Sequence, residues 1–129
     1  MRPLLIAAAL ALATPAAAQT VKPQLSAPLP NAPGKTMTVV TVNYAPGQKS
    51  GPHHHAASAF LYARVLQGQV RSEVAGQGPV KVYGVGEGWT EGPNAHHVVS
   101  ENASATEPAS ILVVFVADDG AVLTTPDKR

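Results

Sequence analysis

The sequence predicts an all-β domain, a sandwich or barrel of short antiparallel strands. Three observations carry that prediction. Seven or more short runs are rich in β-branched and aromatic residues. Gly/Pro-containing turns separate them. Beyond residue 18, no stretch shows the 3.6-residue apolar period of an amphipathic helix.

Taken in order, the chain begins with a basic Met1-Arg2 and an apolar run from Leu4 to Ala13, followed by Ala16-Ala17-Ala18. This pattern predicts a signal peptide over residues 1–18, cleaved after Ala18, and hence a periplasmic or secreted protein. The run is too short to cross a hydrocarbon core, which needs about 20 apolar residues. The single Arg2 argues against a twin-arginine signal. Removal of Arg2 leaves basic and acidic residues in balance, with no basic cluster. That balance gives no reason to expect nucleic acid or an anionic membrane as partner. There is no cysteine. An exported domain of this kind must hold itself together by its core, and it has no thiolate for metal binding or nucleophilic chemistry.

Residues 19–35 hold Pro23, Pro28, Pro30 and Pro33 and form a proline-rich arm. Proline lacks a backbone donor, so the arm is either a disordered tether or an edge strand, of its own sheet or of a neighbouring subunit's. A barrel domain follows over residues 36–129. Thr36–Tyr44 reads as its first strand, ended by Ala45-Pro46-Gly47. The histidine stretch His53-His54-His55 comes next. Ala59–Leu66 and Gln69–Val74 form a hairpin about Gln67-Gly68. Val80–Tyr83 and Trp89-Thr90 are short strands. His96–Ser100 and Ile111–Ala117 are the last clear ones, with a polar connection from Glu101 to Ala109. The tail after Asp118 is weakly patterned.

Three of the five histidines lie in His53-His54-His55, and the other two are the pair His96-His97. Side chains alternate along a strand, so His53 and His55 point one way and His54 the other. Two imidazoles on one face, joined by His97 from a distant strand, make a facial site for one divalent metal: Fe, Mn, Ni, Cu or Zn. His54 and His96 then read as surface or supporting groups.

The same residues carry a resemblance. Gly47, five residues, His53-His54-His55 and a closing Gly68 resemble the first motif of the cupins. Gly86-Glu87-Gly88-Trp89 and Glu91-Gly92-Pro93-Asn94-Ala95-His96-His97 are loosely similar to the second. The resemblance spans Thr36 to Ala117. It implies a double-stranded β-helix (jelly-roll) barrel with a metal inside, a small-molecule ligand or substrate, and a homodimer. His97 aligns with the metal histidine because three residues separate it from Glu101, where the family often has asparagine; Asn102 is one place later. His96 is the alternative. The sequence departs from the family at two points. The family glutamate should fall near Ala59, Phe60 or Leu61, all apolar, and no Asp or Glu lies between His55 and Gly68. The usual Pro-x-Gly turn reads Gly92-Pro93-Asn94.

The ligand set is therefore expected to be three histidines, which leaves the metal's positive charge intact. Glu91, Glu101 and Tyr62 are candidates to reach the barrel interior, but the sequence does not place them. Strand alternation from His97 puts Glu101 on its face, as a supporting acceptor or a solvated loop carboxylate. Arg64 either projects inward to grip an anion or faces solvent. Trp89, Phe60, Phe115 and Tyr62 read as core or pocket wall. Three functions follow: a metal-dependent, dioxygenase-like enzyme on a small polar molecule; a non-catalytic metal- and ligand-binding barrel; or a metal-free structural barrel.

Overall fold

The computed structural model describes residues 19–128; the expected signal peptide lies outside them. The described chain is all strand and connection, with no helix. In chain order the strands are β1 (Thr20–Pro28), β2 (Lys35–Tyr44), β3 (Lys49–Ser50), β4 (His53–His55), β5 (Phe60–Gln67) and β6 (Gln69–Val74). Then follow β7 (Lys81–Gly84), β8 (Gly88–Glu91), β9 (His96–Asn102), β10 (Ala109–Asp118) and β11 (Thr124–Pro126). Two antiparallel sheets result, ordered β1-β2-β10-β5-β8 and β11-β4-β9-β6-β7, with β3 also on β9. This is the jelly-roll barrel that the strand pattern and the resemblance predict.

The core lies between the sheets. Val42 and Tyr44 of β2, Leu61, Ala63 and Val65 of β5, Val70 of β6, Trp89 of β8, and Ile111, Val113 and Phe115 of β10 fill it. Each set alternates with outward residues, as a half-buried strand requires. The β5–β6 hairpin turns on Gly68, whose φ is 67°. A side chain there would meet the Pro108 carbonyl oxygen at 2.4 Å, so only glycine fits. In the altered turn before β9, Asn94 takes φ 56°. Asparagine is among the few non-glycine residues that tolerate this left-handed conformation, so it fills the glycine's place.

The proline-rich arm forms β1 and pairs with β2 of the same chain, from Thr20 opposite Asn43 to Pro28 opposite Thr36. It lies at a sheet edge, where a missing N–H donor is tolerated. The weakly patterned tail supplies β11, which pairs with β4.

Two features correct the expected strand phases. Val99 of β9 pairs with Glu73, but His97 pairs with Val74, so Val98 is an extra residue in the ladder. This β-bulge resets the alternation. His97, Ser100 and Asn102 are buried, whereas Glu101 faces outward. The extra residue also explains why Asn102 stands one place beyond its expected position. On β5, the small and aliphatic Leu61, Ala63 and Val65 take the core face. Phe60, Tyr62, Arg64 and Leu66 are therefore exposed on the opposite face. Phe60 and Tyr62 are not pocket wall, and Arg64 does not reach the interior.

Candidate metal centre

β4 and β9 are neighbours, and His53 stands opposite His97. A directly opposed cross-strand pair shares one face, and His55 joins it two residues along. The nitrogens of His53, His55 and His97 gather with ligand atoms within 4.8 Å of one another. The structure thus brings the three predicted ligands together. His96, the alternative to His97, lies on the opposite face of the sheet beside His54.

Each of the three rings is held through one nitrogen. His53 Nδ1 donates to the Gly51 carbonyl at 2.9 Å. His55 Nδ1 donates to the Leu123 carbonyl at 2.9 Å. His97 Nε2 lies 2.9 Å from Ser72 Oγ. Bonds of this kind set ring orientation and basicity in metal-binding histidines. The two carbonyl acceptors also fix the tautomers of His53 and His55, leaving their Nε2 lone pairs free. Burial lowers the His53 pKa, against the raising effect of its bond to Gly51, and so favours the neutral, ligating form.

The largest departure from the sequence expectation is Glu91. The residue is 1% exposed, and its carboxylate faces the same interior. Oε1 lies 3.1 Å from His97 Nδ1 and accepts from the Trp89 indole N–H at 3.0 Å. Oε2 lies 3.2 Å from His55 Nε2, yet it has no hydrogen-bond partner. Burial opposes ionisation of Glu91, but its contacts with His55, His97 and Trp89 outweigh burial and hold the carboxyl well below the usual carboxylate range. With His55 neutral and its proton on Nδ1, Oε2 faces a lone pair, and the contact is costly unless a proton or a metal ion lies between them. A cation between them removes that cost. Three imidazoles gathered within 4.8 Å, with a carboxylate against two of them, are donor types that suit a divalent metal.

Glu91 stands directly opposite Leu61 in the β5–β8 ladder. Leu61 is one of the positions where the family glutamate was expected. The carboxylate thus reaches the same interior patch from the adjacent strand. The alternation of Trp89 and Glu91 was the available signal: if Trp89 is core, Glu91 is interior.

The four groups line a cavity of about 390 Å³. Its remaining wall includes Val40, Val42, Leu61, Ile111, Val113 and Phe115, and no Lys or Arg lines it. Tyr44, which sequence reasoning left among the strand residues, also lines it. The Tyr44 hydroxyl and Ser100 Oγ are 2.8 Å apart. Burial raises the Tyr44 pKa, so the group is a neutral phenol at ordinary pH. Glu101 instead pairs with Arg71 and Lys49 on the outside.

Comparison with known proteins places this architecture. The Cupin domain family matches residues 40–115, and the chain belongs to that family. No curated protein matches it. Among solved structures, an uncharacterised conserved protein with a double-stranded β-helix domain from Klebsiella pneumoniae is similar over 91% of both chains, at 21% identity and TM-score 0.65. Oxalate oxidase in complex with the substrate analogue glycolate is similar over 84% of this chain and 55% of its own, at 21% identity and TM-score 0.62. A structure of DMSP lyases is similar over 71% of this chain but only 44% of its own, at 19% identity and TM-score 0.58. This chain thus spans about half the length of those two enzymes. The likenesses establish the shared fold.

Proposed function

We propose that this protein is a metal-dependent enzyme whose ligands are His53, His55, His97 and Glu91, acting on a small molecule held in the barrel. The observation that carries the reading is the gathering of His53, His55 and His97 beside buried Glu91, whose Oε2 lies 3.2 Å from His55 Nε2. When bound, a divalent metal supplies Lewis acidity and, if redox-active, oxygenase-type chemistry. The chain's own groups do the rest. Gly51, Leu123 and Ser72 hold the imidazoles in place. Tyr44 offers a neutral O–H to a ligand oxygen. The aliphatic part of the wall packs the apolar body of a ligand, whose binding would displace water from the polar contacts and strengthen them.

The wall also refines the expected substrate. With no Lys or Arg to pair an anion, the cavity suits an uncharged or singly anionic molecule with an apolar body and an oxygen head group. A di-anion is disfavoured because Glu91 already adds negative charge. The second reading, a non-catalytic binding barrel, is favoured by the engagement of Glu91 with Trp89 and His97, which leaves the wall without a carboxylate poised as a general base.

The test is the metal content of the protein, purified without tag or chelator, beside His53→Ala/His97→Ala. About one equivalent lost with the double variant supports the centre; unchanged content sinks it. Turnover by the loaded protein then separates enzyme from binding barrel.

Two expectations extend the proposal. Residues 1–18 direct export, which N-terminal sequencing tests: a mature protein should start at Gln19. A homodimer forms through the outer face of the β1–β8 sheet, where Phe60, Tyr62 and Leu66 stand exposed. Monomeric mass by light scattering would exclude it.

A further inference from the structure

The opposite face of the same strand pair carries a second cluster. His54 of β4 stands opposite His96 of β9. Their rings are stacked, with centroids 4.1 Å apart and planes 5° apart. Asp127, just beyond β11, reaches over both. His54 Nδ1 donates to Oδ1 at 2.9 Å, and His96 Nε2 donates to Oδ2 at 2.8 Å. All three ligand atoms lie within 4.8 Å of one another. Asp127 is itself fixed, because its backbone N–H donates to the Pro52 carbonyl at 3.0 Å.

We infer that His54, His96 and Asp127 form a second site for a borderline divalent metal such as Zn²⁺ or Cu²⁺, and that this outer site clamps β11. The donor set is the two-histidine, one-carboxylate combination that suits such metals, with remaining positions open to water. Ligation requires each neutral imidazole to carry its proton on the other ring nitrogen, His54 Nε2 and His96 Nδ1, so that the nitrogen now facing Asp127 offers its lone pair to the cation. Tetrahedral coordination with nitrogens at about 2.0–2.1 Å brings donors to about 3.3 Å of one another. The rings must tilt out of their parallel stack so that both lone pairs converge. They have room to do so, since their side chains are 44% and 35% exposed.

The clamp has a consequence for the interior. Three elements supply the ligands, and Asp127 comes from the chain end that passes along β4. Thr124 and Pro126 of β11 line the inner cavity, and the Leu123 carbonyl holds His55. A cation on the outer face would therefore fasten the strand that closes the inner site.

The experiment titrates chelator-stripped mature protein with Zn²⁺ by calorimetry. Wild type, His53→Ala/His97→Ala, His54→Gln/His96→Gln and Asp127→Ala are compared. Two equivalents are expected in the wild type. The inner and outer double variants should each lose one, and they should lose different ones. Asp127→Ala leaves the histidine pair intact and should weaken the outer site by about tenfold or more while the inner Zn²⁺ equivalent is retained. Amide hydrogen exchange on the inner double variant reads the clamp: Thr124 and Thr125 should slow on Zn²⁺ addition. An inner double variant that binds no Zn²⁺ overturns the outer site. So does a Zn²⁺ isotherm that neither the outer pair nor Asp127→Ala changes. Unaltered exchange at Thr124 and Thr125 overturns the clamp. A wild type binding a single equivalent that only the outer variants remove would uphold this site and sink the inner one.

Discussion

The two faces of the β4–β9 pair hold the same kinds of group under opposite conditions. Outside, His54, His96 and Asp127 are mutually satisfied: each carboxylate oxygen has its own imidazole donor. Inside, His53, His55, His97 and Glu91 are not. Their outer-directed nitrogens are held by Gly51, Leu123 and Ser72, and Oε2 of Glu91 has no donor. Water can compensate a poor arrangement on the surface, whereas a dry interior magnifies it. A complete cluster at the surface is stable with or without a cation. An incomplete one in the core points to the charge it lacks. The same three-histidine run thus yields one face that tolerates a metal and one that calls for it.

Substitutions can break this contrast. The largest effect is expected from His53→Ala or His97→Ala, which should abolish tight binding at the inner site while leaving the β-rich circular dichroism intact. His54→Ala should change inner-site affinity by less than about tenfold, the lower end of the range for groups behind a ligand. Equal losses from His54 and His53, measured by metal titration, would erase the distinction between the faces. Next comes Glu91→Gln, which keeps the shape and removes the charge. Inner affinity should drop by about 10–100-fold or more, a lower bound taken from groups that merely support a ligand. In the metal-free protein, however, the loss of stability should be small, because the amide can donate where the carboxylate could not. Thermal unfolding with and without metal checks both halves. A strong destabilisation of the metal-free form would mean that Glu91 is chiefly a partner for protonated imidazoles.

The fold was legible because alternation and Gly/Pro turns are local signals, and the strands from β2 to β10, the two-residue β3 excepted, follow them. The histidine ligands were legible for the same reason: His-x-His needs only the two-residue period, and it holds within β4. What failed needed pairing information. Glu91 joins the site because β8 runs beside β5 with Glu91 opposite Leu61, a register that the local pattern does not encode. Counting twos from His97 puts Glu101 on the inner face, and the Val98 bulge breaks that count, which leaves the solvated carboxylate of the two alternatives. Tyr62 and Arg64 share a face, as alternation requires, but which face is buried depends on Leu61, Ala63 and Val65 packing better. β11 was missed because Thr124-Thr125-Pro126 is short and ends in proline, so its strand character comes from pairing with β4.

On the outer face, Asp127→Ala in metal-free protein should free the end of β11. Two partly exposed hydrogen bonds to imidazole are lost, and a small part of the stability with them. Because Thr124 and Pro126 wall the cavity, inner-ligand dissociation should quicken as well. Chemical denaturation and stopped-flow release measure the two. A faster release without any change in stability would show that β11 opens locally rather than with the whole sheet.

The smallest effect concerns Glu101, the carboxylate that the bulge turned away from the site. Its burial opposes ionisation, but the partners Arg71 and Lys49 prevail and lower its pKa. A depressed carboxylate pKa contributes stability that is present above the unfolded value of about 4.3 and is lost as pH falls through the folded value. Glu101→Gln should therefore lower stability by up to about 1 kcal/mol at pH 7. The gap to wild type should close as the pH drops below the carboxylate range. Added salt should narrow it too, since Lys49 and Arg71 are solvent-exposed. Inner-site metal affinity should not move at any pH at which both proteins are folded. If it falls with Glu101→Gln, the carboxylate acts through β9 on His97, and the two faces are coupled through the bulge instead of being insulated by it.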